Sequence, residues 1–92
     1  MTNMDKLEEL FGLAKEDDAK FIAVAIEMDG FPEPEIIVNP IENADLKLEY
    51  YKKTYDENLN HKFAEGVRII ICDYGDSLGE FNWINIKKKG LL

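Results

Sequence analysis

The stretch FIAVAIEM, from Phe21 to Met28, constrains the fold of this chain more than any other. Its side chains alternate between a mostly large set and a set that includes two alanines, and a period of two is that of a β-strand. The large set comprises Ile22, Val24, Ile26 and Met28, and the other set comprises Phe21, Ala23, Ala25 and Glu27. We predict the central strand of a sheet here, with helices on its large-residue face and a thinly covered or open small-residue face.

The size and composition of the chain predict one globular domain over residues 1–92. A chain of this length buries about two-thirds of its unfolded surface without needing a metal or disulfide. With 46% hydrophobic and 33% charged residues, it is too apolar for disorder and too charged for a membrane segment. The apolar run Phe21–Ile26 is far shorter than a membrane span. Because the single cysteine, Cys72, cannot form an internal disulfide, and no signal-peptide pattern opens the chain, we predict a cytoplasmic protein.

The formal net charge of −8 limits the classes of partner. Proteins that bind nucleic acids place lysine and arginine against phosphates, so a chain this acidic is not expected to bind them. The same charge can steer a basic partner toward the protein.

Local signals predict the first helix and the second strand. Thr2 and Asp5 form a capping box ahead of apolar residues spaced by three and four, which predicts a helix from Asn3 to Asp17. An Asp-Gly turn and two prolines then mark a hairpin loop. Glu35 to Asn39 follow as a short strand between prolines, which is typical of a sheet edge.

The second helix and third strand follow in the same way. Asn43 is a favourable N-cap for a helix from Ala44 to Asn58. Its apolar stripe continues to Phe63, so Gly66 is an alternative end. The β-branched run from Val67 to Tyr74 predicts a third strand beside the central one.

The tail allows two interpretations. Ser77 and Glu80 have the spacing of a helix cap, whereas the alternating Ile84 and Ile86 suit a strand. We predict a fourth strand over Phe81–Lys87.

The predicted class is α+β, in two layers. A mainly antiparallel sheet of three or four strands carries two helices on one face, in the order α-β-β-α-β with a final β. The third strand pairs beside the first, away from the second, which makes a split β-α-β crossover. We place strand four outside this 2-1-3 order, and the alternative puts the tail against the hairpin.

Three motifs between Lys20 and Ile71 give the chain a resemblance: the FPEPE loop, the VNP corner and the LEYYKK helix. With them, this region resembles short proteins encoded by phages and prophages of low-GC Gram-positive bacteria. The resemblance implies an accessory bacterial or phage protein in a cytoplasm. It brings no activity and no functional residues, and it does not extend from Cys72 onward.

Candidate catalytic residues have simpler structural explanations. Cys72, His61 and Asp73 are the ingredients of a thiol nucleophile with a base, but a cysteine in an apolar strand is usually buried and unreactive. His61 lies in a polar connection, where we expect an exposed, unpaired side chain. We therefore predict no catalytic residue.

Metal and cofactor sites are also not expected. Asp73, Asp76 and Glu80 gather carboxylates around a turn containing Gly75, yet they miss the alternating ligand pattern of calcium loops. The glycine loop lacks the lysine of a phosphate-binding loop. Although an ion at the three carboxylates stays an alternative, we predict neither metal nor cofactor.

The basic cluster at the end of the chain has two interpretations. Two aromatic residues followed by three lysines would suggest base stacking in a basic protein. These residues are Phe81, Trp83, Lys87, Lys88 and Lys89. Lysines at the end of an edge strand also protect against aggregation, and we favour that interpretation because the overall charge repels nucleic acid.

The aromatic residues supply the interface candidates. Tyr50 falls off the helical stripe, and Phe31 sits in the hairpin loop between turn residues. We predict that Phe31, Pro32, Pro34 and Tyr50 contact a protein partner of unknown identity, since exposed aromatics are typical interface anchors. The expected function is a non-catalytic interaction module. The alternative is a small enzyme or ligand-binding domain with its site at a dimer interface.

A homodimer is also predicted. The small-residue face of Ala23 and Ala25 and a poorly protected sheet edge would both be completed by a second copy, and two-fold pairs are the commonest assemblies.

Overall fold

The sheet has β1 at its centre, as predicted. The structure, a computed structural model, describes residues 1–87. Its helices and strands are α1 (Asn3–Glu16), β1 (Phe21–Met28), β2 (Glu35–Pro40), α2 (Ala44–Thr54), β3 (Val67–Gly75) and α3 (Trp83–Ile86), with 3-10 turns at Ile41–Asn43 and Leu78–Glu80. The strands pair antiparallel in the order β2-β1-β3. The predicted α+β class, the strand order and the edge position of β2 are confirmed.

The helix α1 begins where its cap predicted. The Thr2 hydroxyl accepts a hydrogen bond from the Asp5 backbone N–H (3.1 Å), and the Asp5 carboxylate accepts one from the Thr2 N–H (3.0 Å). Together they satisfy two N–H groups that a helix start leaves without partners. The buried stripe of α1 contains Met4, Leu7, Phe11 and Ala14.

Both long helices cover the large-residue face of β1. Val24 lies opposite Ile37 of β2 and Cys72 of β3. The core joins this face to the buried stripes of α1 and α2, and its members include Ile22, Val24, Ile26, Leu7, Phe11, Tyr51 and Leu59. Both long helices therefore lie on one face of the sheet, as predicted. No helix within residues 1–87 is long and apolar enough to cross a membrane.

The helix α2 ends at Thr54, before the predicted Asn58. The Asp56 carboxylate accepts hydrogen bonds from the N–H groups of Asn58 (2.9 Å) and Asn60 (3.0 Å), which closes a turn that competes with further helix. Leu59 adopts a left-handed φ of 63° in this turn and is fully buried. Asn43 lies at the N-cap position of α2 as predicted, but it also ends a 3-10 turn and its side chain makes no capping hydrogen bond.

The predicted fourth strand is wrong, because residues 78–86 form a 3-10 turn and the short helix α3. The Glu80 carboxylate accepts hydrogen bonds from the N–H groups of Asp76 (3.1 Å) and Ser77 (3.0 Å). Asn82 then caps α3 by accepting from the Asn85 N–H (3.0 Å). These polar bonds outweigh the two-residue alternation of the isoleucines, so the helix-cap interpretation of the tail was the correct one.

The tail covers the small-residue face of the sheet. Phe81 and Ile86 are buried there against Ala23 and Ala25, with Trp83 partly buried beside them. The face is therefore neither open nor thinly covered. Its cover comes from the same chain, which removes the reason that the small-residue face gave for a dimer.

Candidate functional site

The hairpin loop between β1 and β2 lies at one end of the sheet. Phe31 donates its N–H to the Met28 carbonyl (3.2 Å), and Asp29 donates to the Gly66 carbonyl (2.9 Å). The second bond joins the hairpin loop to the turn that precedes β3. Phe31 is 65% exposed. Pro32 is also exposed, whereas Pro34 is half-buried.

Tyr50 projects from α2 with 51% of its surface exposed. Its ring packs edge to face with the ring of Tyr51, and the two centroids are 5.6 Å apart. Lys47 Nζ lies 5.1 Å from the centroid of the Tyr50 ring. These contacts hold the ring in place while leaving half of it open to a partner. The structure thus confirms that Tyr50 is off the buried stripe.

Tyr50 is one end of a continuous series of ring contacts. We call this series the aromatic row, and it comprises Tyr50, Tyr51, Tyr55, His61 and Phe63. Successive centroids after the first pair are 5.9, 5.1 and 6.0 Å apart, and every pair meets edge to face. Tyr51 and Tyr55 are buried, whereas Phe63 at the far end is 80% exposed. The row therefore runs from surface to core and back to surface.

His61 sets the position of Phe63. Its Nδ1 accepts a hydrogen bond from the Phe63 N–H (3.0 Å), and its backbone forms a bridge with Tyr55. The expectation of an exposed, unpaired histidine is wrong, because His61 is half-buried between two rings. Phe63 was missed as an interface candidate. The turn-forming Asn58 and Asn60 could have revealed it, since they end α2 and leave Phe63 in a loop.

The Tyr55 phenol is a weaker acid than an ordinary tyrosine. Burial raises its pKa above the ordinary value, and the charges of Tyr50 and Glu35 raise it further. Glu35 directly follows Pro34 and pairs with Ile26 near the end of β1. Within residues 1–87, the close ring pairs do not include Phe31, so the hairpin loop and the aromatic row are two separate parts of the candidate surface.

Five exposed carboxylates surround this end of the sheet. We call them the hairpin carboxylates: Glu27, Asp29, Glu33, Glu35 and Glu65. The ion pairs of the described residues are Lys15–Asp45, Lys52–Glu8 and Lys53–Glu49. None of those three pairs includes a hairpin carboxylate. Arg68 lies opposite Glu27 across the two strands, yet no ion pair joins them in the described part of the chain.

The candidate nucleophile is buried in the core. Cys72 belongs to the cluster under the helices, and burial raises the pKa of its thiol, with a smaller contribution from Asp73. A thiol with a raised pKa holds little of the reactive thiolate near neutral pH. His61 sits in the loop after α2 and faces Tyr55 and Phe63 rather than this thiol.

The tail carboxylates are engaged in backbone capping. Glu80 accepts from two N–H groups, and Asp76 Oδ1 accepts from the Lys20 N–H (3.2 Å). In the described ranges, no group of three or more histidine, cysteine, aspartate or glutamate side chains converges on a point that could hold a metal ion.

Two open grooves lie outside the hairpin end. One, of about 630 Å³, is at the opposite end of the sheet and includes the Lys15–Asp45 ion pair in its wall. The other, of about 590 Å³, runs beside Tyr55 and the start of α1. Neither groove is lined by Cys72 or His61, so neither joins the two groups that a thiol mechanism requires.

The tail aromatics serve packing. Phe81 is buried on the sheet and Trp83 is half-buried beside it, so Phe81 has no free face on which a base could stack. Lys87 is exposed, and the predicted roles of Lys88 and Lys89 lie outside the described residues.

Comparisons with family models, with curated proteins and with solved structures each gave no match to this chain. The function therefore has to be inferred from the surface described above.

Proposed function

We propose that this protein is a non-catalytic protein-interaction module that binds a partner through Phe31, Pro32, Pro34 and Tyr50, with Phe63 added from the aromatic row. The observation that carries the proposal is the aromatic row itself, whose exposed ends pack on the buried ring of Tyr51 and on the half-buried ring of His61. The resemblance of residues 20–71 supports an accessory role of phage or prophage type. The lone, reduced Cys72 supports a cytoplasmic setting.

Exposed aromatic rings suit a binding surface for energetic reasons. Large aromatic side chains dominate the free energy of many protein interfaces, because each removes a large apolar area from water. Binding also costs free energy whenever flexible side chains must be ordered. In this protein Tyr50 packs on Tyr51, and Phe63 packs on His61, before any partner arrives. That part of the ordering cost is met during folding.

The backbone of the hairpin loop is also restrained before binding. Pro32 and Pro34 each fix their φ angle, and the first residues of the loop are hydrogen-bonded to Met28 and Gly66. Phe31 is thus exposed on a loop with restricted motion. A side chain presented in this way loses less conformational entropy on binding than one on a free loop.

Affinity co-purification from the organism that encodes the protein tests the proposal. The wild type is compared with a Phe31→Ala, Tyr50→Ala double variant, and with a Leu78→Ala, Ile84→Ala control that removes exposed apolar side chains of the tail. We expect the wild type and the control to retain the same protein, and the double variant to lose it at least tenfold. Equal capture by the double variant, or no protein above background with the wild type, would refute the proposed surface.

A further inference from the structure

We infer that the partner surface is a cationic polypeptide segment, in which lysine or arginine side chains flank an apolar residue. The inference deepens the proposed function and rests on it. The segment is expected to place its apolar residue against Phe31 and Phe63 and its cationic groups against the hairpin carboxylates.

The two phenylalanines are presented by loops that are bonded to each other. Asp29 donates its N–H to the Gly66 carbonyl (2.9 Å), so the hairpin loop and the turn before β3 meet at this point. Gly66 has a φ of 75°, and a Cβ there would collide with the Asp29 side chain. Only glycine fits this junction without strain. The loops of Phe31 and Phe63 are therefore held at one end of the sheet.

The sheet register brings the hairpin carboxylates to the same end. Met28 pairs with Val67, and Ile26 pairs with Glu35, so the end of β1 meets the beginnings of β2 and β3. Glu27, Asp29, Glu33, Glu35 and Glu65 come from these strand ends and from the loops between them. The cations nearest in sequence are Lys62 and Arg68. The five carboxylates outnumber these two cations, so this end of the molecule carries a net negative charge.

Ion pairs are few among the described residues, where three of the 19 side-chain carboxylates have a lysine partner, and the hairpin carboxylates belong to the unpaired majority. Asp45, Glu8 and Glu49 each have a lysine partner within 3.1 Å. In residues 1–87, no such pair forms at any hairpin carboxylate. Unpaired carboxylates beside exposed phenylalanines leave both charge and apolar surface to be complemented. A segment that combines lysine or arginine with an apolar residue complements both, and its charge accelerates association.

Selection from a random linear peptide library against the immobilised wild-type protein tests this inference without choosing the ligand in advance. We expect the enriched peptides to carry a net positive charge and at least one large apolar residue. Their affinity should fall on the order of tenfold in a Glu33→Gln, Glu35→Gln variant, and should also fall as the salt concentration rises. A Glu9→Gln, Glu16→Gln variant, which neutralises two exposed carboxylates of α1 that also form no ion pair in the described residues, is the matched control and should bind as the wild type does.

The outcomes separate this inference from the proposed function. The enriched peptides could be neutral or acidic and still fail to bind a Phe31→Ala, Phe63→Ala variant of the protein. That result would overturn the cationic partner but would still support the interaction surface. Peptides that bind the phenylalanine variant equally well would overturn both. Failure to enrich any peptide would also overturn the cationic segment. Circular dichroism of each variant ensures that lost binding reflects the surface and not unfolding.

Discussion

Replacing Ile86 with alanine tests whether the tail covers the second face of the sheet. Ile86 is 0% exposed and packs against the face that contains Ala23 and Ala25. Because these strand residues are small, a side chain from the tail must fill the space above them. The neighbouring Ile84 is 67% exposed on the same short helix. The two residues thus form a matched pair with one chemistry and opposite burial.

The magnitude follows from the burial of Ile86. Truncating a buried isoleucine to alanine costs about 2–5 kcal/mol, depending on how far the surroundings collapse. α3 is a single turn at the surface and can move inward, so we expect the lower part of that range, about 2–3 kcal/mol. A domain of this size has a total stability of about 5–14 kcal/mol. The loss should lower Tm by roughly 8–24 °C.

Thermal unfolding followed by circular dichroism measures the effect, with urea unfolding as an independent estimate of the free energy. We expect Ile84→Ala to change the free energy of unfolding by less than about 0.5 kcal/mol. If Ile86→Ala has the same Tm as the wild type, the tail does not cover the small-residue face. A second copy of the chain would then be the better candidate to cover it.

Four further predictions concern the core, the turn after α2, alkaline pH and assembly. Val24→Asp should unfold the domain by burying an unpaired charge, and native circular dichroism with an unchanged Tm would contradict the position of β1. Leu59→Ala should cost about 2–5 kcal/mol in urea unfolding, while the exposed Leu46→Ala should stay within about 0.5 kcal/mol. Burial raises the pKa of Cys72 above its ordinary 9.0 and that of Tyr51 above 10.0. Both groups therefore keep their protons in the folded and unfolded states below about pH 8, and stability should fall above that pH because the unfolded chain ionises first. A urea midpoint that does not fall between about pH 8 and pH 10.5 would contradict this sign. The two-fold dimer stays a prediction, and light scattering that gives 10.6 kDa at high micromolar concentration would refute it.

The elements that the sequence predicted well are those with several agreeing local signals. α1 has a capping box and a regular apolar stripe, and β1 has an alternating pattern with no competing turn residues. The edge position of β2 followed from Pro34 and Pro40, which cannot donate backbone hydrogen bonds. In these segments the local preference and the tertiary packing favour the same structure.

The errors fall where polar side chains compete with an apolar pattern. The stripe of α2 continues through Tyr55 and Leu59, and both are indeed buried, but Asp56 closes a turn between them. An apolar stripe predicts which residues are buried, but it does not predict the backbone conformation that buries them. Ile84 and Ile86 are a related case, because a spacing of two places both residues on one face of a strand but on opposite sides of a helix, and in this protein Ile84 is exposed and Ile86 is buried.

The interface candidates were predictable as exposed groups but not as a connected surface. Phe31 and Tyr50 were identified because no periodic pattern placed them in the core. The contact of His61 with Tyr55, and the bond between Asp29 and Gly66, join segments whose approach depends on the rest of the fold. Phe63 was missed because its spacing continues the apolar stripe of α2, although Asn58 and Asn60 mark the end of that helix.

The turn that buries Leu59 also links the core to the proposed binding surface. Its left-handed backbone reverses the chain just before His61, so that the imidazole returns against Tyr55 and directs Phe63 outward. The Ile69 N–H donates to the Leu59 carbonyl (3.0 Å), which fixes the same turn to β3. Because β3 begins at Val67, beside Gly66 and Asp29, the position of Phe63 relative to Phe31 is set by core contacts and not by either loop alone. The free energy that folds the core therefore also orders the surface, and a partner that needs both phenylalanines meets them already in place.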